Sequence, residues 1–145
     1  MSRVSTYLNF MGNTEEAFEF YRSVFGTDYI GDIVRMGDMA DGPDAPPLPE
    51  AEQRLVGHVE LPILAGHVLM ATDMLESMGH QLAIGNNVTI NLEPDTRAET
   101  DRLFAALSKG GKIEMPLAEQ FWGGYFASFS DKYGIRWMLN CESKK

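Results

Sequence analysis

The chain holds a single cysteine, Cys141, in 145 residues, so neither an intramolecular disulfide nor a Cys-rich zinc cluster is open to it. A lone thiol suits a reducing compartment, and on a final apolar strand it reads as a small packing residue. Positive charge is also scarce: 12 Lys and Arg stand against 21 Asp and Glu, a formal net charge of −9. Nucleic acid and anionic membrane surfaces both call for a basic patch, so neither is an expected partner. Apolar runs are only a few residues long, which leaves nothing to span a bilayer. Met1 to Gly12 holds no basic stretch followed by an apolar one, so no signal peptide is expected, and the location expected is cytoplasmic. G-x-G occurs nowhere, and with it goes the Gly-rich turn that opens a usual S-adenosylmethionine site.

What is present is a repeated order of elements. At 44% apolar residues the chain has enough material for one domain with a real core. Val4 to Phe10 alternates as a strand, Gly12-Asn13 breaks it, and Asn13 or Thr14 is placed to cap a helix. Glu15 and Glu16 suit that helix's positive first turn, Ala17, Phe18, Phe20, Tyr21, Val24 and Phe25 recur at helical spacing, and Gly26 ends it. Strands are expected at Tyr29 to Met36, Leu55 to Leu61 and His67 to Thr72, the last two as a hairpin. The second half repeats the order: a strand at Asn87 to Glu93, a helix after Pro94-Asp95-Thr96, a stop at Gly110-Gly111. Strands then follow near Lys112 to Met115, Tyr125 to Ser130 and Ile135 to Cys141. A shift of about eighty-three positions lays Thr6 on Thr89 and Glu16 on Glu99, which marks an internal duplication.

Two stretches fall outside the repeat. Gly37 to Gln53 carries Pro43, Pro46, Pro47 and Pro49 among Asp38, Asp41, Asp44, Glu50 and Glu52. That composition excludes a helix or a central strand and reads as a mobile acidic loop, a solvated excursion or a flap. Residues 74–86 read as the linker between repeats 1–73 and 87–145, and Met70, Met74 and Met78 as soft packing.

Taken together, Tyr7-Leu8-Asn9-Phe10 with Gly12, Glu16 to Tyr21 with Phe25-Gly26, and the hairpin from His58 to Asp73 form one half of a pattern. Gly110-Gly111-Lys112 with Met115-Pro116, Phe121-Trp122-Gly123 and Asp131 to Asn140 complete it. Over nearly its whole length the chain resembles the vicinal oxygen chelate superfamily, which includes glyoxalase I, extradiol dioxygenases and bleomycin- and fosfomycin-resistance proteins. Within that group it looks most like the PhnB-like branch, whose members are often labelled 3-demethylubiquinone-9 3-methyltransferase-like. The resemblance implies an α+β fold of two βαβββ units, whose curved sheets pair around a trough with helices on the outer faces. It also implies a homodimer.

Strand parity assigns faces independently of the resemblance. Val88, Ile90 and Leu92 are expected on the second helix, leaving Thr89 and Asn91 toward the trough; Ile135, Trp137 and Leu139 likewise leave Arg136, Met138 and Asn140. In the hairpin Val59, Leu61, Leu69 and Ala71 go to the helix side, and His58, Glu60, Met70 and Thr72 face the cavity or water. Metal-dependent members of the superfamily carry His or Glu on four strands, and by the resemblance those positions fall on Thr6, Met70, Thr89 and Met138. Hydroxyls and thioethers are poor ligands for a divalent ion, so neither metal nor other cofactor is expected.

Two functions compete. One is a metal-independent small-molecule binding protein of the resistance or sequestration type, with Thr6, Met70, Thr89, Asn91, Trp122, Arg136 and Met138 lining its site. Trp122 is placed either to stack on a flat ligand or to lock its loop on the core, and Arg136 to pair with a ligand carboxylate or with Glu60. The other is a metal-free isomerase or lyase, in which the catalytic pair His58 and Glu60 moves a proton, the carboxylate orienting the imidazole. His67 has the opposite parity and His80 is expected in water. The methyltransferase reading is disfavoured by the missing G-x-G.

Overall fold

Alternation in Thr6–Phe10 makes a five-residue strand, β1, and the break at Gly12 turns the chain into helix α1, Thr14–Phe25. The structure is a computed structural model that describes residues 2–39 and 47–145. A two-residue strand β2, Val34–Arg35, a one-turn helix α2, Glu50–Gln53, and strands β3, Val56–Pro62, and β4, Val68–Asp73, complete the first half. The second half consists of β5, Ile90–Leu92, α3, Arg97–Ser108, β6, Lys112–Glu119, β7, Tyr125–Ser130, and β8, Arg136–Cys141. Each half closes one four-stranded sheet, in the orders β1-β4-β3-β2 and β5-β8-β7-β6. In both, the first and last strands pair in parallel and the remaining neighbours run antiparallel. This is a mixed α+β architecture with two open sheets. Contacts divide the chain into the units Met1–Ala83 and Ile84–Lys145, and residues 74–86, which include a 3-10 turn at Glu76–Met78, span that boundary.

In each unit one helix covers one face of the sheet. Ala17, Phe18, Tyr21 and Val24 of α1 are buried with Phe10, Val59, Leu61, Leu69 and Ala71, and Phe18 meets Phe10 and Tyr21 edge-on at 6.3 and 5.7 Å. Leu103 and Leu107 of α3 are buried with Leu92, Ala127, Phe129, Trp137, Leu139 and Cys141. Gly26 ends α1 at φ 64°, ψ 34°, and its N–H returns to the Arg22 carbonyl at 2.9 Å; only a residue without Cβ takes that conformation cheaply.

A buried aspartate ties each unit together. Asp73, at the end of β4, accepts from the Gly12 and Thr14 amides at 3.0 Å, the Thr14 hydroxyl at 2.7 Å and the Val56 amide at 2.8 Å. It therefore serves the first turn of α1 from another strand, and Asn13 makes no side-chain cap. Asp131 accepts from the Tyr133 and Ile135 amides at 2.8 and 3.1 Å and from the Trp137 indole at 2.9 Å. The D-x-x-G turn is thus the clamp that fixes the last strand to its core tryptophan. Satisfying a buried carboxylate with several donors is what makes its burial tolerable.

Several expectations change. Of Tyr29 to Met36 only Val34–Arg35 is strand, followed by a 3-10 turn at Met36–Met39. Within the Pro-rich segment Gly37 to Gln53, α2 forms once the prolines have passed, which the composition had excluded; residues 40–46 of that expected mobile loop lie outside the described residues. Asn87 to Glu93 contributes only Ile90–Leu92 as strand, and Val88 is 73% exposed rather than packed on the helix. β6 runs on through Pro116 to Glu119 because it is an edge strand, where a missing N–H costs no ladder bond.

Candidate functional site

The face of the first sheet turned away from α1 is set by register. Tyr7 pairs with Met70 and Asn9 with Thr72, while Met70 pairs across β3 with Glu60. Tyr7, Asn9, Met70, Thr72, His58 and Glu60 therefore share this face. Thr6 does not: it pairs with Leu69 on the helix side, and its hydroxyl lies 2.9 Å from His67 Nε2. The placement of Thr6 with Met70 is thus corrected to Tyr7. The cause is one residue of loop. Leu92 stands where Leu8 does, each paired with the fourth residue of its last strand (Leu139 and Ala71), a shift of 84. Arg97 opens α3 where Thr14 opens α1, a shift of 83. Matching the helices therefore slips the strands by one position, and a one-position slip reverses a side chain's face.

On this face lies a polar chain. His58 Nε2 is 3.2 Å from Glu60 Oε2, and Arg3 NH2 is 3.5 Å from Glu60 Oε1. The Tyr7 ring stands 6.0 Å from the His58 ring at an interplanar angle of 33°. Partial burial raises the phenol of the half-exposed Tyr7 above its usual pKa, partly offset by its hydrogen bond with Thr72, so it stays a neutral phenol. Of His58 and Glu60 about a third and a quarter of the side chain remain exposed, so the pair is neither in bulk water nor in the core. His67 is held by Thr6, and His80 Nδ1 accepts from the Leu75 amide at 2.9 Å, so neither joins His58.

The corresponding face of the second sheet carries Asn91 opposite Met138, Ser128 beside Met138, and Phe126 opposite Asn140. Arg136 is engaged within its own unit. Its NH1 and NH2 donate to the two Glu114 oxygens at 2.5 and 3.2 Å, and its Nε to Thr89 Oγ1 at 3.3 Å. Its acidic partner is thus Glu114 of β6 and not Glu60. The fork lowers the Glu114 pKa chiefly through its hydrogen bond. Trp122 sits in a turn closed by Gly123 N to Gln120 O at 2.9 Å and Gln120 N to Gly124 O at 2.8 Å. It is 53% exposed and Phe121 98%, with their rings 5.1 Å apart and Trp122 6.0 Å from Phe126. Trp122 neither locks into the core nor stands clear of its sheet.

The donor types at the register-matched positions are a phenol and a thioether in the first unit (Tyr7, Met70), and an amide and a thioether in the second (Asn91, Met138). This set does not fit a divalent ion: a thioether, a neutral phenol and an amide are weak donors beside imidazole or carboxylate, and none carries a charge to offset the ion's. Among the described residues no group of three or more His, Cys, Asp or Glu is arranged to hold a metal. A separate depression of about 750 Å³ lies where the bidentate Glu15–Arg35 pair meets Asp38, Gln53 and Arg54. None of the open-face residues lines it.

Parity in the sequence already pointed to Met70, His58, Glu60, Thr89, Asn91, Arg136 and Met138. It missed Tyr7, whose face needed the β1–β4 register, and Arg3, which lies before any strand. Glu114 was visible only as a charge on an edge.

Comparison with known proteins bears on the whole chain. The sequence pattern of the family described as 3-demethylubiquinone-9 3-methyltransferase matches residues 2–140. The chain is 28% identical over 142 residues to Protein YjdN of Escherichia coli (strain K12), covering 94% of this chain and 93% of that one. Protein PA1353 from Pseudomonas aeruginosa superposes with a TM-score of 0.81 at 32% identity, covering 98% of each chain. A putative 3-demethylubiquinone-9 3-methyltransferase, PhnB protein, from Bacillus cereus gives 0.76 at 26% identity, covering 97% of this chain and 99% of that one. At the level of fold alone, a glyoxylase/bleomycin resistance protein/dioxygenase domain from Frankia sp. EAN1pec matches with a TM-score of 0.64 at 13% identity, covering 99% and 94%.

Proposed function

The chain belongs to the 3-demethylubiquinone-9 3-methyltransferase-like (PhnB) family, within the glyoxalase/bleomycin-resistance superfamily, and we propose that it is a metal-independent small-molecule binding protein of the sequestration type. The observation that carries this reading is the donor set at the register-matched positions of the two open faces: Tyr7 with Met70 and Asn91 with Met138, none of them an imidazole or carboxylate. Those four positions offer apolar contact, soft sulfur and hydrogen bonds, which suit a partly apolar organic ligand better than an ion. The methyltransferase in the family's name has no support in the topology. Neither sheet contains a strand, Gly-rich turn and helix in a parallel series. We also place the protein in the cytoplasm as a homodimer. The exposed Val4, Ile84, Val88 and Phe121, at 85, 65, 73 and 98%, are apolar surface that a second subunit would cover.

The test is a thermal-shift screen of planar and aliphatic small molecules, with and without EDTA and divalent metals. A ligand that binds only the native state raises the melting temperature, and EDTA is expected to leave both the apo and ligand-bound values unchanged. About one zinc, nickel or iron per chain by elemental analysis, lost on His58→Ala, would overturn the proposal.

A second reading is favoured by one contact. The 3.2 Å His58–Glu60 pair, with Arg3 on the other carboxylate oxygen and the neutral Tyr7 phenol nearby, suits metal-free proton transfer at an isomerase or lyase site. Turnover abolished by His58→Gln with ligand affinity retained would choose this reading over pure sequestration.

A further inference from the structure

We propose that Asn140 and Trp122 form a subsite on the second sheet that takes a flat aromatic molecule through an N–H or O–H donor. The proposal rests on the reading of the chain as a small-molecule binding protein, and it specifies the ligand chemistry of one face. Asn140 Oδ1 is shielded from solvent and accepts no hydrogen bond, alone in this among the buried side-chain polar atoms of the described residues. Its unit satisfies the buried Asp131 with three donors and gives the buried Thr100 hydroxyl the Thr96 carbonyl, so an unpaired amide oxygen is out of keeping with its surroundings.

What surrounds that oxygen is aromatic. Asn140 pairs across the sheet with Phe126, whose ring lies 6.0 Å from Trp122, and Trp122 in turn meets Phe121. Gly124 lies between. A Cβ there would come within 2.3 Å of Trp122 Nε1 and 3.1 Å of Asn140 Oδ1, so the indole and the orphaned acceptor face the same missing side chain. Trp122 reaches Gly124 from a four-residue turn with half its own surface in water, and its rotation away from Gly124 is the movement this subsite requires to open Asn140 to a ligand. A flat molecule entering there stacks on Trp122 and Phe126, and its donor satisfies Oδ1. A site with an acceptor of this kind discriminates strongly against an isostere that lacks the donor, because the acceptor is then left unpaired.

The probe pair is indole against benzofuran, equal in size and shape but with and without an N–H. The chain has two tryptophans, so the indole region of a ¹⁵N spectrum holds two protein signals; Trp122→Phe assigns them, and Trp137, bonded to Asp131, serves as the fold reference. Indole is expected to move the Trp122 signal and to bind about tenfold more tightly than benzofuran. Asn140→Leu should bring indole down to the affinity of benzofuran, and Gly124→Ala should weaken both probes alike by displacing the indole of Trp122. Equal affinities in the unaltered protein, a preference that survives Asn140→Leu, or a Trp122 signal that neither probe moves would each overturn the proposal. Movement of the Met138 or Met70 methyl signals under a still Trp122 would leave the binding-protein reading standing without this subsite. No movement of any of them across a wider ligand panel would sink both.

Discussion

The two units are alike where they are buried and unlike where they are open. Each has one helix on one sheet of the same strand order, and each is pinned by an aspartate that is at most 3% exposed. On the open face the first unit presents an Arg3–Glu60–His58 chain beside Tyr7, whereas the second neutralises Arg136 with Glu114 and adds Trp122, Phe126 and the unpaired Asn140. Packing constrains the helix side of a duplicated unit to keep its volumes and buried hydrogen bonds, while the open side answers only to what it meets. Function is therefore to be sought in the difference between the faces.

The largest effects should come from the shared part. Asp73→Ala takes the acceptor from four donors, three of them in buried bonds, and at about 1–3 kcal/mol for each buried donor left unpaired should cost roughly 3 kcal/mol or more in urea unfolding. Asp131→Ala takes it from three, of which the Trp137 indole bond is buried, and should cost roughly 2 kcal/mol. A loss under about 1 kcal/mol for either one would break the equivalence of the two clamps. A smaller asymmetry is expected at the helix starts. Thr96 accepts from the Glu99 amide at 3.2 Å, so Thr96→Ala should cost about 0.5–2 kcal/mol, whereas Asn13→Ala should be near neutral, since Asp73 already serves α1.

The faces should separate by pH. The Glu114 carboxyl is held below its ordinary pKa by the Arg136 hydrogen bond, so its contribution to stability is present above the unfolded carboxylate value and lost as pH falls through the lowered one. NMR titration of Arg136→Ala should show Glu114 rising toward the ordinary range; no movement would mean that the fork does not form in solution. Tyr7 behaves in the opposite sense. Burial raises its phenol, so its contribution is complete below the unfolded value near 10 and fades as pH rises through the folded one. Tyr7→Phe should flatten that part of the alkaline limb of the melting-temperature profile, the smallest of these effects, and an unchanged limb would place Tyr7 in free water.

Much of this was legible in the residues. Val59, Leu61, Leu69, Ala71, Trp137 and Leu139 recur at every second position of their strands, and all are buried at 2% exposure or less, because a strand's period of two puts them on one face, the one the helix covers. Helices α1 and α3, their stops and the duplication were legible for the same reason: each is a property of neighbours in sequence. The edges were not. Val88 alternates correctly yet is exposed, because β5 begins only at Ile90 and the helix does not reach past it.

The sequence by itself determined which side chains belong inside, the order of elements, and a donor set poor in imidazole and carboxylate at the matched strand positions. Tertiary structure alone decided that Tyr7 and not Thr6 stands beside Met70, that Asp73 serves a helix 59 residues away from it, that Arg136 chooses Glu114, and that Asn140 has no partner. The physical reason is common to all four. Local periodicity fixes the face of a residue within its own element, but a partner across strands depends on register. One extra residue in a loop changes that register without leaving any mark in the pattern on either side.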